Sequence, residues 1–336
     1  MGLQIGDIVG KEEIELKDLK NKIIVVDAFN IIYQFLSTIR QPDGTPLQDR
    51  KGRVTSHLSG LFYRNTNLLL EGLKLIYVFD GKPPKLKKLV HEKRAKAKDI
   101  AKEKYEHAKS KEDIEGMGKY AKQLTSLDED KIKESKELLK AMGIAVIQAP
   151  SEGEAQASYM AKHEKNIYGI ASQDYDSLLF EAPKLIQNLT LAKKRKTVSG
   201  IVDIKPQIIE TKKVLKELKL NQDQLICVGI LSGTDYNPKG VPGIGPKKAL
   251  KLVEEHKTPE NIFKAVEDKL DFDWKQVFDL MKNPKVDKDY KIDFPDFDKE
   301  KIKDILVKHD FSEDRIEKQF DKLRQAKEKS KQRTLF

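Results

Sequence analysis

Cysteine is nearly absent: Cys227 is the only one in 336 residues, which excludes an internal disulfide framework. It falls within an apolar helical pattern, so it reads as a small buried hydrophobe in a protein of a reducing compartment. No apolar run approaches the roughly 18 residues of a membrane helix, and the N-terminus lacks a signal-peptide core, so no membrane partner is expected. Met1-Gly2 opens like a myristoylation signal, but Gly6 stands where Ser or Thr is required. Internal repeats are lacking too.

What the chain has in quantity is charge. Charged residues make up 35% and hydrophobic residues 38%, the composition of a globular protein with a heavily solvated surface. The length permits two or three domains. Lys and Arg number 64 against 54 Asp and Glu, a net charge of +10, which fits a polyanionic partner.

Against this basic background the acids are concentrated. Ile23 to Val26, Leu75 to Phe79, Ile144 to Ile147 and Ile167 to Ala171 are short apolar runs that read as buried strands of a parallel sheet. The first two stop at Asp27 and Asp80; the others lead into Glu152 and Glu154, and into Asp174 and Asp176. Asp235 follows the apolar helical pattern from Leu225 to Leu231. Ligands of open α/β sheets bind at the carboxyl ends of the strands, which is where these acids gather. Each acid taken singly also reads as a helix cap, and Ser151-x-x-Glu154 matches a capping box. Four strands ending alike favour a common site.

Like charges about 4 Å apart repel by roughly 4 kcal/mol even at an effective dielectric of 20, so seven carboxylates in one cleft require cations. Oxygen ligands without accompanying His or Cys favour Mg²⁺ or Mn²⁺ over zinc. A basic protein with an acidic cleft points to metal-assisted chemistry on nucleic acid phosphates.

Other segments carry basic or aromatic groups. Asn30 to Arg40 has helical spacing of Ile31, Phe35 and Ile39, leaving Tyr33 and Arg40 outside the apolar stripe; Tyr33 can stack on a base or pack at the core edge. Thr55 to Gly72 reads as a helix. From Lys82 to Lys104 runs a basic helix with too few apolar residues to be buried on two faces, and its start lies beside Asp80, within reach of a phosphate there. Lys193 to Lys196 reads as a basic loop between a strand ending near Asn188 and another around Val198 to Val202, most simply a solvated hairpin. Gly240 to Ala249 is a glycine-rich turn entering a helix at Pro246, able to aim backbone N–H groups at phosphate beside Lys247 and Lys248. An Asp- and Pro-rich loop occupies 283–298, and a basic helical pattern runs from Gln319 to Lys331.

In this order, Val26-Asp27-Ala28, Tyr77-Val78-Phe79-Asp80-Gly81-Lys82-Pro83-Pro84, Ala149-Pro150-Ser151-Glu152-Gly153-Glu154-Ala155, Ser172-Gln173-Asp174-Tyr175-Asp176 and Gly233-Thr234-Asp235-Tyr236 resemble the flap endonucleases of the structure-specific 5′ nuclease superfamily. The layout is closest to the archaeal and eukaryotic members, and the likeness spans essentially the whole chain. It implies an α/β fold: a mostly parallel central sheet flanked by helices, a projecting helical arch from 82 to about 130, and a helix–two-turn–helix that binds DNA. The organisation expected is an N-terminal nuclease region at 1–98, an arch segment at 99–115, an internal nuclease region with the helix–two-turn–helix at 116–258, a C-terminal helical region at 259–328 and a clamp-binding tail at 329–336.

The resemblance further implies cleavage of 5′ flaps from branched DNA in replication and repair, with 5′-3′ exonuclease action. Two Mg²⁺ ions, with Mn²⁺ able to substitute, would be held by Asp27, Asp80, Glu152, Glu154, Asp174, Asp176 and Asp235, the first four nearer one ion. Lys87 and Arg94 would grip the scissile phosphate and Tyr33 would stack on the unpaired base beside the cut, with Arg40 nearby. Gly2 would lie near the site once Met1 is removed. Gly243, Gly245, Lys247 and Lys248 would hold the duplex backbone, with a potassium ion at the helix–two-turn–helix. Gln332 and Leu335 fit a sliding-clamp ligand, but that pattern continues to two aromatics and here stops at Phe336. A monomer is expected, cytoplasmic and nucleoid-associated in a prokaryote, nuclear in a eukaryote.

Two other readings are consistent with the same motifs: a related nuclease preferring RNA or bubble junctions, and a non-catalytic DNA adaptor on the same fold. The intact set of acids disfavours the adaptor.

Overall fold

The computed structural model describes residues 3–41, 44–84, 86–87, 100, 103–105, 107, 110, 113, 120, 126–190, 194–197 and 200–333. Gly2, Arg94, Leu335 and Phe336, and most of the expected arch segment, lie outside them, as does the side chain of Gln332.

The strands are β1 (Glu12–Glu13), β2 (Ile23–Asp27), β3 (Lys74–Phe79), β4 (Ala145–Gln148), β5 (Ile167–Ala171), β6 (Lys184–Gln187), β7 (Lys194–Thr197), β8 (Gly200–Asp203) and β9 (Gln207–Glu210). Seven of them form one sheet in the order β1-β9-β6-β5-β2-β3-β4, and β7 pairs with β8 in a separate hairpin. Pairing is parallel from β6 through β5, β2 and β3 to β4, and antiparallel only where β9 joins β6 and β1. The four apolar runs are therefore adjacent parallel strands. Their side chains alternate between faces, as the period of two requires. Ile24, Val26, Leu75, Tyr77 and Phe79 enter one core, while Val25, Ile76 and Val78 enter another on the opposite face. Tyr77 and Phe79 are fully buried, each contributing about 1.5–3 kcal/mol of apolar burial.

Helices cover both faces. Against the first core pack α1 (Ala28–Thr38), α2 (Ser56–Leu70) and α3 (Glu129–Ala141). Against the second lies α4 (Gly153–His163), through Ala157, Met160 and Ala161. A third core gathers α5 (Asp176–Leu179), α6 (Thr211–Leu218), α7 (Gln222–Ser232), α8 (Pro246–His256), α9 (Pro259–Lys264) and α10 (Trp274–Lys282). Helix α7 is buried on every side from Leu225 to Leu231, and it begins at a reciprocal capping box between Asn221 and Gln224. The C-terminal α11 (Lys299–Val307) and α12 (Glu313–Arg333) return to the first core through Ile302, Leu306, Ile316 and Phe320. There Glu134 of α3 joins His57 Nε2 of α2 at 3.0 Å and His309 Nε2 at 3.2 Å.

The segment 283–298 is docked as a strap. The buried Gln156 of α4 donates to the Asp287 carbonyl at 2.8 Å and accepts from its N–H at 2.7 Å, as a neighbouring strand would. Tyr290 donates its hydroxyl to Glu164 at 3.0 Å, and Asp298 N–H donates to the Ala141 carbonyl at 2.8 Å. The strap thus clasps both ends of α4, the helix whose first turn carries Glu152 and Glu154.

Candidate active site

The acids sit where the strands end. Asp27 closes β2 and also caps α1, accepting the Asn30 N–H at 3.1 Å, so the structural and the functional reading of this residue hold together. The capping box expected at Ser151 does not form: α4 starts at Gly153, its N-cap is Glu152, and no side chain of the N-cap bonds the helix. The first N–H of α4 is met from another strand end, by Asp80 Oδ1 at 2.7 Å. That contact needs glycine, because a Cβ on Gly153 would stand 2.6 Å from the same oxygen. A Cβ on Gly81 would stand 2.2 Å from the Ala149 carbonyl, so the Asp80-Gly81 turn fits against the Ala149–Pro150 chain only without a side chain.

Ser172 and Asn30 hold Glu154 and Asp174. Ser172 Oγ donates to Glu154 Oε1 at 2.9 Å and lies 3.4 Å from Asp27 Oδ2, while Asp174 N–H reaches the same Oγ at 3.3 Å. Asn30 Nδ2 donates to Asp174 Oδ2 at 2.8 Å. Asp176 opens α5 and accepts the Leu3 N–H at 3.2 Å, which ties Leu3 to the cluster. Asp235 follows the end of α7, with its Oδ2 3.3 Å from the Lys87 ammonium. Lys87 also pairs with Glu152 and lies 5.7 Å from the centre of the Tyr236 ring.

The electrostatics tie these groups into one site. Burial, followed by the charge of Asp80, pushes the Asp27 carboxyl well up. Burial and then Asp27, Asp176 and Asp174 do the same to Glu154. Asp80 is raised to about 6 by burial and Glu152, and Asp176 to about 7 by burial and Asp235. Burial lowers the Lys87 ammonium, but Glu152 and Asp235 outweigh it and leave the lysine firmly charged. Acids this buried, each disfavoured by another of the set, form an all-oxygen donor group that fits a hard divalent cation. As placed, no three Asp, Glu, His or Cys side chains among the described residues converge tightly enough to hold one ion, and the cation in their midst is the Lys87 ammonium.

The other expected contacts lie on the segments that follow Asp27 and Asp235 in the chain. Tyr33 is 41% exposed on α1, about 9 Å along the helix from Asp27 by its rise per residue. Arg40 is turned onto its own loop, donating to the Ser37 carbonyl at 3.0 Å and the Gly44 carbonyl at 2.8 Å. Between α7 and α8 the chain makes successive turns, with Asn237 N–H on the Thr234 carbonyl, Gly240 N–H on the Asn237 carbonyl and Ile244 N–H on the Val241 carbonyl. Asn237 Oδ1 accepts from the Thr234 hydroxyl at 2.6 Å, stiffening the first turn. Gly243 has φ of 76°, and Gly245 is the N-cap of α8 with no side chain over the helix end. Lys247 is exposed there, and Lys248 donates to the Gly243 carbonyl at 3.0 Å. A cleft of about 300 Å³ opens beside Glu152, lined also by Lys82, Pro84, Pro150, Tyr236 and Lys285.

Sequence reasoning passed over Asn30, Ser172 and Gln156. Only Asn30 carried a signal, its spacing of three residues from Asp27, the spacing of a capped first turn.

Comparison with known proteins follows the same arrangement. Residues 3–101 match the XPG N-terminal domain and residues 143–235 the XPG I-region. The chain is 50% identical over 338 aligned positions to flap endonuclease 1 of Pyrococcus furiosus, covering 100% of this chain and 98% of that protein. It is 49% identical to flap endonuclease 1 of Thermococcus onnurineus at the same coverage. Among solved structures, flap endonuclease-1 from Methanococcus jannaschii aligns with a TM-score of 0.75 at 41% identity, covering 97% of this chain and 98% of the other. The catalytic core of Rad2 in complex with DNA substrate shares the fold at a TM-score of 0.71 and 23% identity, covering 96% of this chain and 100% of the other. With half of its residues shared along its entire length and the fold in common, the chain belongs to the flap endonuclease family.

Proposed function

We propose that the chain cleaves 5′ flaps from branched DNA by hydrolysing a phosphodiester with the help of two Mg²⁺ ions, Mn²⁺ substituting, and that it also acts as a 5′-3′ exonuclease. The observation that carries the reading is the group of buried acids Asp27, Asp80, Glu154 and Asp176, each pushed up by burial and by another acid of the set, next to Glu152 and Asp235 on the Lys87 ammonium. Asp27, Asp80, Glu152 and Glu154 would hold one ion, and Asp174, Asp176 and Asp235 the other. When bound, such ions lower the pKa of an attacking water and neutralise the charge of the leaving 3′ oxygen.

This chain's own residues supply the rest. Lys87 can pass from its acid partners to the scissile phosphate, where its charge counts most as the transition state develops. Arg94 would join it from the arch. Tyr33 offers an exposed ring to the unpaired base, beside Arg40. The N–H groups at the start of α8, with Gly243, Gly245, Lys247 and Lys248, would grip duplex phosphates, and a potassium ion in the preceding turns would add to that hold. Gln332, Leu335 and Phe336 would engage a sliding clamp. The enzyme would act as a monomer, with nuclease regions at 1–98 and 116–258, an arch at 99–115, a helical region at 259–328 and the tail at 329–336.

The test is single-turnover incubation with labelled 5′-flap, bubble and RNA substrates in Mg²⁺ or EDTA. Cleavage of the flap near its junction, in Mg²⁺ alone, is the expected result. Preference for RNA or bubbles would reassign the substrate, and absence of cleavage with intact binding would make the protein an adaptor.

A further inference from the structure

Asn30 lies in the first turn of α1 and bonds two acids that belong to different strand ends. Its backbone N–H donates to Asp27 Oδ1 at 3.1 Å. Its side chain makes a two-pronged clamp on the loop after β5: Nδ2 donates to Asp174 Oδ2 at 2.8 Å, and Oδ1 accepts the Gln173 N–H at 3.1 Å. The carboxamide does both at once from two separate atoms. An aspartate at this position would lack the donor and would set another negative charge beside Asp174, and an aliphatic side chain would lack both groups.

Strands β2 and β5 are parallel neighbours, with Val26 opposite Ala171. Asp27 follows immediately in one strand, but Asp174 is three residues past the end of the other, in a turn that the sheet does not fix. Ser172 binds Glu154 and Asp27, so it anchors the near end of that turn. Asn30 anchors the far end. We propose that Asn30 is a positioning residue that fixes Asp174 relative to Asp27 and thereby sets the spacing between the two ion positions. This inference rests on the two-ion reading above. A side chain that orients a metal-ligating carboxylate by hydrogen bonding tunes affinity without touching the ion, and its loss typically costs about 10- to 100-fold.

The experiment is calorimetric titration of the full chain with Mn²⁺, without DNA, for the wild type, Asn30→Leu and, should the leucine variant fold poorly, Asn30→Ser. Melting in EDTA runs alongside. The expected result is two Mn²⁺ ions on the wild type. In the variants one ion keeps its affinity within about threefold and the other weakens about 10- to 100-fold. Cleavage at limiting Mn²⁺ should fall and should recover when Mn²⁺ is raised. Two wild-type ions with both affinities unchanged in the variants, and only a lower melting temperature, would make Asn30 a structural cap and overturn the inference alone. A wild type that takes up no Mn²⁺ would overturn the two-ion reading and this inference with it.

Discussion

The Lys87 ammonium stands 3.3 Å from Asp235 Oδ2 and pairs at the same time with Glu152, so one cation links the start of α4 to the end of α7. Its side chain is only 12% exposed, and the carboxylates hold it charged at any working pH. A cation so placed favours whichever anionic state of the site carries most charge. Lys87→Ala is therefore expected to slow single-turnover flap cleavage by about 100-fold or more while changing DNA affinity by less than about threefold. Equal losses in rate and affinity would reduce Lys87 to an ordinary backbone contact.

The buried acids predict an unusual stability profile. Asp80 and Asp176 have folded pKa values of about 6 and about 7 against 3.8 when unfolded. The folded state therefore binds more protons than the unfolded state between about pH 4 and 7, and stability falls as pH rises through that window. His57, lowered chiefly by its burial, works the opposite way below about pH 6.5. In EDTA the melting temperature should thus climb by about 3 °C or more from pH 8 to pH 6, and saturating Mg²⁺ should abolish that climb. A flat profile in EDTA would mean that burial and mutual repulsion do not raise these acids.

Duplex binding should read phosphates and not bases. Lys247 is exposed beside the open N-terminus of α8. Lys247→Ala is expected to weaken binding equally for all sequences and to reduce the slope of log affinity against log salt by about 1. A change in sequence preference at fixed branch structure would contradict this.

Residues 331–336 should behave as a detachable ligand. Their deletion is expected to leave flap cleavage unchanged without clamp and to remove stimulation by a sliding clamp. Persistent stimulation of the shortened protein would assign clamp binding elsewhere.

Much of this was legible in the sequence because strand ends are set by local chemistry. Ile167–Ala171 is a strand with the predicted ends, and β2 and β3 each differ from the apolar run by one residue at one end. The acids had to gather once those runs paired in parallel. Pro246 opens α8 as its fixed φ dictates. What stayed hidden depends on partners remote in the chain. Gln156 looks like any polar helix residue until Asp287, 131 positions away, arrives beside it. Ser151 fits a capping box, yet the helix start is served by Asp80, 73 residues before Gly153. Asn30 and Ser172 act through side-chain hydrogen bonds to other segments, which leave no periodic trace.

On the two-ion reading these acids are held together for divalent ions and not for the fold. The charge of Asp174 raises the pKa of Asp27, Glu154 and Asp176, so Asp174→Asn removes repulsion from all three. The measurement is a thermal melt of Asp174→Asn in EDTA beside its single-turnover flap cleavage in Mg²⁺. The melting temperature is expected to equal or exceed that of the wild type, with cleavage reduced by about 100-fold or more and DNA binding largely kept. A variant that melts lower, by about the 1 kcal/mol of a lost cap, and still cuts at the parent rate would contradict it.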